Sequence, residues 1–170
     1  MDKLKSHPVP DSIDLQGWQL SITGAVSQPL HLTRDDLKTL PEGEFTDDFT
    51  CVEGWRAQNL LWRGIRVEAV LSQASPTADA THVLVHAMDG DYASSFPIER
   101  VRNALLAVEL DGEPLSVDHG GPARLVPTDD GADCWESIKW VSEIEVMESD
   151  PAGRDTAKRI ALNRVSETSD

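Results

Sequence analysis

Asp118-His119-Gly120-Gly121-Pro122-Ala123-Arg124-Leu125-Val126-Pro127 is a turn of paired glycines and a proline that runs into a short apolar segment headed by one arginine. Adjacent glycines let backbone approach a neighbour closely, and a guanidinium presents a planar fork of donors suited to phosphate or carboxylate. Gly-Gly-Pro alone marks no more than a turn. Downstream, Ser137-Ile138-Lys139-Trp140 adds a second cation in an apolar setting. The chain has only five lysines, so one in a half-buried strand points to an anionic partner; the alternative is a charge guarding an exposed sheet edge.

The scarcity of cations extends over the whole chain. Its 170 residues carry 30 Asp plus Glu against 15 Lys plus Arg, a net charge of −15. Such a surface repels phosphate backbones and anionic lipid headgroups, so neither nucleic acid nor membrane is an expected partner. The length suits one domain and buries enough surface to build a core without disulfides or structural metals. Met1 to Pro10 holds Lys3 and Lys5 but no apolar run, and the reading is a cytoplasmic protein with no signal peptide or membrane span. Cys51 and Cys134 stand 83 positions apart without CxxC spacing, which argues for single thiols rather than a disulfide framework. An acidic, lysine-poor surface also suits a high-salt cytoplasm, where salt screens carboxylate repulsion.

Alternation of apolar and polar residues predicts a strand over Trp18 to Val26. Thr33 and Asp36 form a helix start of capping-box type, and Pro41 stops that helix after about two turns. Strands are predicted over Glu44 to Val52, His82 to Ala87, Leu105 to Leu110, Arg124 to Pro127 and Ile138 to Met147. Short helices are predicted over Val67 to Ser72 and Ile98 to Asn103. Turns fall at Asp89-Gly90-Asp91 and Asp111-Gly112-Glu113-Pro114. The expected fold class is α+β: a β-rich mixed sheet of barrel-like form with short helices, residues 1–150 making one domain and 151–170 a polar tail. Ala157 to Val165 could form a helix against a partner surface.

Two further residues invite chemistry. Cys51, in Cys51-Val52-Glu53-Gly54-Trp55, ends a predicted strand; its thiolate is a soft metal ligand, and the plainer alternative is a small buried hydrophobe. Tyr92, the only tyrosine, follows a turn and can donate a hydrogen bond or relay a proton, or else simply pack at a loop base. His82 and His86 lie in a strand and read as structural or surface groups, as do His7 and His31. Cys134 reads as a packed thiol.

Taken in order, Cys51-Val52-Glu53-Gly54-Trp55, Trp62-Arg63-Gly64, Asp89-Gly90-Asp91-Tyr92 with Ser95-Phe96-Pro97, Leu106-Ala107 with Asp111-Gly112-Glu113-Pro114-Leu115, Asp118 to Arg124, and Lys139-Trp140 resemble the molybdopterin-binding domain of the sulfite oxidase family. The likeness spans roughly residues 15–148. It implies a β-rich fold, a Mo-molybdopterin cofactor and oxygen-atom transfer to or from a small sulfur- or nitrogen-oxo substrate. By resemblance, Cys51 is the metal ligand. Arg124 and Lys139 bind phosphate and pterin, His119 contacts the cofactor, and Ser137 and Ile138 contribute backbone groups. Tyr92 matches the active-site tyrosine of the sulfite-oxidising branch, and Arg56 a substrate-anion arginine of that branch. The Cys-Val-Glu-Gly-Trp run instead resembles the branch of protein-methionine-sulfoxide reductases, which leaves an oxo-anion and a sulfoxide both open as substrate.

Only 17 residues precede Trp18, where family members usually carry a segment that walls the pterin, so a short or missing wall is expected. No immunoglobulin-like dimerisation domain or haem motif is expected, and electrons would pass to a separate carrier. The resemblance implies an enzyme. A non-catalytic molybdopterin-binding or interaction module of the same fold is the alternative, and a β-rich domain without cofactor the third reading.

Overall fold

The structure is a computed structural model that describes residues 18–50, 56–88, 92–129, 136–151, 154, 156 and 160, with the side chains of 47–50 and 56–59 outside the described set. In chain order its elements are β1 (Leu20–Gly24), β2 (Leu30–Leu32), α1 (Arg34–Leu37), β3 (Glu42–Thr50), β4 (Arg56–Arg66), α2 (Val67–Ala74), β5 (His82–Ala87), β6 (Ala93–Pro97), α3 (Ile98–Val101), β7 (Leu105–Leu110), β8 (Glu113–Pro114), a 3-10 turn at Val117–His119, β9 (Arg124–Val126) and β10 (Val141–Met147). The α+β class, with mixed pairing and short helices, is as expected. The strands form two open sheets and no closed barrel among the described residues, because each sheet has its own terminal strands.

The first sheet runs β2-β1-β10-β5-β6. Its one parallel pair joins β1 to β10, Ser21 opposite Glu143 and Gly24 opposite Val146. Gly24 sits at φ +84, and a Cβ there would fall 2.2 Å from Val146 O, so no other residue fits. The second sheet runs β3-β4-β7-β8, with β9 also paired to β7.

The main core lies between the two sheets. Leu20, Ile22, Val83, Val85, Phe96, Ile144 and Val146 come from the first sheet, Ile65, Leu106 and Leu125 from the second, and Val67, Val70, Leu71 and Ala74 from α2. Alternation along β7 sends Leu105 and Ala107 to the other face, where they join Leu60, Trp62 and Val126 in a smaller cluster. The second sheet is therefore buried on both faces around β7, and the candidate site rests on this outer cluster.

Local chemistry accounts for several boundaries. Thr33 Oγ1 accepts from Asp36 N at 3.2 Å while Thr33 N donates to Asp36 Oδ2 at 2.9 Å, closing the expected capping box. Asp111 and Gly112 both adopt positive φ, 52° and 87°, the conformation that favours a tight β7–β8 hairpin. Four predicted strands have other bounds. β3 begins at Glu42 rather than Glu44. β1 stops at Gly24, where the chain turns to bridge Val26 to Pro76. β9 stops at Val126. The last strand begins at Val141 rather than Ile138, because Trp140 takes φ 55° and breaks the extended run. β2, β4, β6 and β8 are additional to the sequence expectation. No helix among the described residues is long and apolar enough to cross a membrane.

Candidate cofactor-binding site

β9 carries Arg124 at its head, opposite Ala107 of β7. Its side chain is 3% exposed and lies on the Trp62 face, with the guanidinium 5.3 Å from the ring centroid. Nε donates to Ser137 Oγ at 2.9 Å and Nη1 to the His119 carbonyl at 3.1 Å. The aromatic face supports a cation that has been largely removed from water.

The 137–141 segment is laced to the Gly-Gly-Pro loop. Leu125 N donates to Ile138 O at 2.9 Å, Trp140 N to Gly120 O at 3.0 Å and Val141 N to Ala123 O at 3.0 Å. Lys139 Nζ donates to Asp118 O at 2.8 Å, and Trp140 Nε1 donates to Val117 O at 2.6 Å. A non-glycine residue at positive φ costs about 1–3 kcal/mol and persists where its surroundings over-determine it. Trp140 is held by both its amide and its indole nitrogen.

The paired glycines do a different job from the one their sequence suggests. Gly120 is at φ +104, and a Cβ there would lie 2.8 Å from Lys139 Cγ; one on Gly121 would lie 2.1 Å from Leu115 O. Their room is taken by the chain itself, so they let two loops close on each other rather than opening backbone to a ligand. This packing puts His119, Arg124, Ser137, Ile138 and Lys139 in one cluster. His119, Ser137, Arg124 and Ile138 are buried and Lys139 half-buried.

Tyr92 is half-buried and packs against the main core. Its carbonyl accepts from Ala87 N at 2.9 Å, and Met88 N donates to Trp140 O at 2.7 Å. Tyr92 thus lies at the end of the first sheet where the Lys139-Trp140 segment enters β10. Arg56 begins β4 opposite Thr50, eight positions before Gly64, which pairs with Ala107; its side chain is outside the described set. Cys51 and Cys134 also lie outside the described residues. Trp62 beneath Arg124, and the Asp118 and His119 carbonyls that orient the two cations, carry no sequence signal of their role, since any residue supplies a carbonyl.

His86, Glu143 and Glu145 place potential ligand atoms within 4.8 Å of one another on the first sheet. The two carboxylates are already engaged. Arg154 reaches Glu145 at 3.0 and 3.2 Å, His86 Nε2 lies 3.1 Å from it, and Thr23 Oγ1 donates to Glu143. Partial burial pushes the Glu145 carboxyl up, but hydrogen bonds from Arg154 and His86 together outweigh it and hold the group below its ordinary value. The set is a surface ion-pair network, in keeping with a structural reading of His86.

A guanidinium, an ammonium, an imidazole and a hydroxyl gathered in a chain of charge −15 make a donor set that fits a phosphate-bearing pterin. Charge-assisted donors of this kind suit a phosphate.

The comparisons with known proteins agree with this chemistry. Residues 6–154 match the family model "Oxidoreductase molybdopterin binding domain". The uncharacterized oxidoreductase YuiH of Bacillus subtilis is 31% identical, with 88% of this chain aligned to 75% of that protein. Sulfite oxidase of Arabidopsis thaliana is 28% identical over 89% of this chain but 47% of its own length. The crystal structure of the sulfane dehydrogenase SoxCD from Paracoccus pantotrophus superposes with a TM-score of 0.74 at 25% identity, covering 82% of this chain and 41% of that one. The chain thus spans most of one relative and less than half of the other two. From a cationic cluster on a two-sheet frame, and from a family match over most of its length, the chain belongs to the molybdopterin-binding oxidoreductases that include sulfite oxidase.

Proposed function

We propose that this chain is a molybdopterin-dependent oxidoreductase that transfers an oxygen atom to or from a small sulfur-oxo substrate. The supporting observation is the lacing of the segments that carry Arg124, Lys139, His119, Ser137 and Ile138 into one cluster beside β9. The sulfur substrate follows from the relatives: one is a sulfite oxidase and another a sulfane dehydrogenase.

When bound, the molybdenum centre supplies oxygen-atom exchange coupled to two-electron redox chemistry. The protein supplies binding, orientation and electrostatics. Arg124 and Lys139 neutralise and orient the cofactor's phosphate, His119 and the 137–138 backbone fix the pterin, and the Cys51 thiolate ligates the metal. Tyr92 orients substrate or holds the proton that moves with oxygen, and Arg56 holds an anionic substrate. Electrons leave or arrive through a separate carrier, in a high-salt cytoplasm that suits the acidic surface.

The test uses protein made in a host that synthesises the cofactor. Turnover of sulfite with an electron acceptor, or of a small sulfoxide with a donor, that Cys51→Ser abolishes supports the enzyme. Bound cofactor without turnover of either substrate class supports the non-catalytic module instead.

A further inference from the structure

Arg100 belongs to none of the segments that form the cationic cluster. It follows the β6 strand in α3, its guanidinium lies 5.3 Å from the Phe96 ring centroid, and it makes charged hydrogen bonds to two carboxylates. Nε donates to Asp129 Oδ2 at 2.6 Å, Nη1 to Glu136 Oε2 at 2.6 Å and Nη2 to Glu136 Oε1 at 2.8 Å, with Nη2 also 3.4 Å from Asp129 Oδ1.

The two carboxylates are not an arbitrary pair. Asp129 lies five positions after Arg124, and Glu136 immediately precedes Ser137. They head the two arms that carry the cationic cluster. The arms are tied directly by Arg124 Nε to Ser137 Oγ and Leu125 N to Ile138 O. Arg100 adds a second tie, from Asp129 to Glu136, the residue directly before Ser137. Glu136 is only 13% exposed, and a carboxylate so far removed from water is stabilised by a hydrogen-bonded cation. Its position next to Ser137 would also set a negative group where an anionic ligand must approach.

We propose that Arg100 is a positioning residue for the cofactor site: by bridging Asp129 and Glu136 it fixes the spacing of the Arg124 and Ser137–Lys139 arms and neutralises two carboxylates that would otherwise repel a phosphate. The inference rests on the cofactor reading above. The contribution is twofold, geometric and electrostatic, and salt separates the two, since screening weakens the repulsion but restores no lost hydrogen bond.

The experiment compares wild type, Arg100→Met and Arg100→Lys, each purified from a cofactor-competent host. Two readouts are used: bound pterin, released and measured by fluorescence, and amide hydrogen exchange at Leu125 and Trp140 in cofactor-free protein. Arg100→Met should release pterin about tenfold faster, a difference of roughly 1.4 kcal/mol, with faster exchange at Leu125; added salt should recover part of the retention. Arg100→Lys should restore retention in part, having charge without the fork. Should Arg100→Met fail to fold, Glu136→Gln with Asp129→Asn is read instead; it should loosen the Leu125 amide while improving phosphate electrostatics. Wild-type pterin retention and wild-type exchange in Arg100→Met, or in that double variant, would overturn the inference. A wild type that holds no pterin would instead overturn the cofactor reading, leaving the exchange result to judge Arg100.

Discussion

Gly120 and Tyr92 show how differently two residues of one site can be tested. At Gly120 the constraint is steric and conformational, φ +104 with Lys139 against the missing side chain. Gly120→Ala should cost about 1–2 kcal/mol from the left-handed conformation alone. The clash adds to this, lowering the melting temperature together with cofactor content. An unchanged melting temperature would contradict the packing described. At Tyr92 the expectation is chemical. Tyr92→Phe keeps the ring that packs on the core and removes only the hydroxyl, so stability should hold while kcat falls about 10²-fold or more if the phenol handles a proton. A kcat within a factor of two of wild type would reduce Tyr92 to a packing residue.

β4 is the interior strand that joins β3 to β7 in the second sheet, and Gly64 is its weak point. A Cβ there would sit 1.9 Å from Leu106 O, so Gly64→Val cannot be absorbed by side-chain repacking. It should destabilise by at least about 3 kcal/mol or abolish soluble expression, whereas Thr33→Ala at the α1 cap should cost only about 1 kcal/mol. Thermal melts of the two variants check the contrast. β4 also shows why part of the fold was hidden in the sequence. Leu60 and Trp62 face the outer cluster and Ile65 the main core, so apolar residues fall on both faces of the strand and no apolar–polar alternation marks it. β2 and β8 are too short to carry a period. By contrast β5 and β7, β9 apart from its last residue, and the Thr33 capping box were legible because burial and local hydrogen bonding agree there with composition. At the C-terminal side, Arg154 anchors to Glu145 of β10. A carboxyl held below its ordinary value contributes stability above the usual glutamate range near ~4.3. That contribution is lost as pH falls through the lower folded value. Glu145→Gln should flatten this acid limb of the stability curve; an unaltered limb would show that the network contributes nothing.

For the molecule as a whole, the charge of −15 and the cationic cluster belong to one electrostatic design. Carboxylates cover the surface, while Arg100, Arg124 and Lys139 are each held by specific hydrogen bonds. Raising salt from about 0.1 M to about 1 M shortens the Debye length from about 10 Å to about 3 Å. That should raise the melting temperature by relieving surface repulsion; a fall would show that local ion pairs dominate instead. The cationic site was legible in residue identity, because a lysine or arginine is conspicuous where cations are few. Its geometry was not, since the carbonyls of Asp118 and His119 and the bridging role of Arg100 depend on tertiary approach between distant segments. The central claim is that this cluster holds molybdopterin, and the most direct test is the molybdenum and pterin content of protein from a cofactor-competent host, for wild type and for Arg124→Met with Lys139→Met. Wild type should carry about one cofactor per chain and the double variant less than about a tenth of that, a loss of more than about 1.4 kcal/mol. Wild-type protein without pterin, or a double variant that retains it in full, would contradict the account.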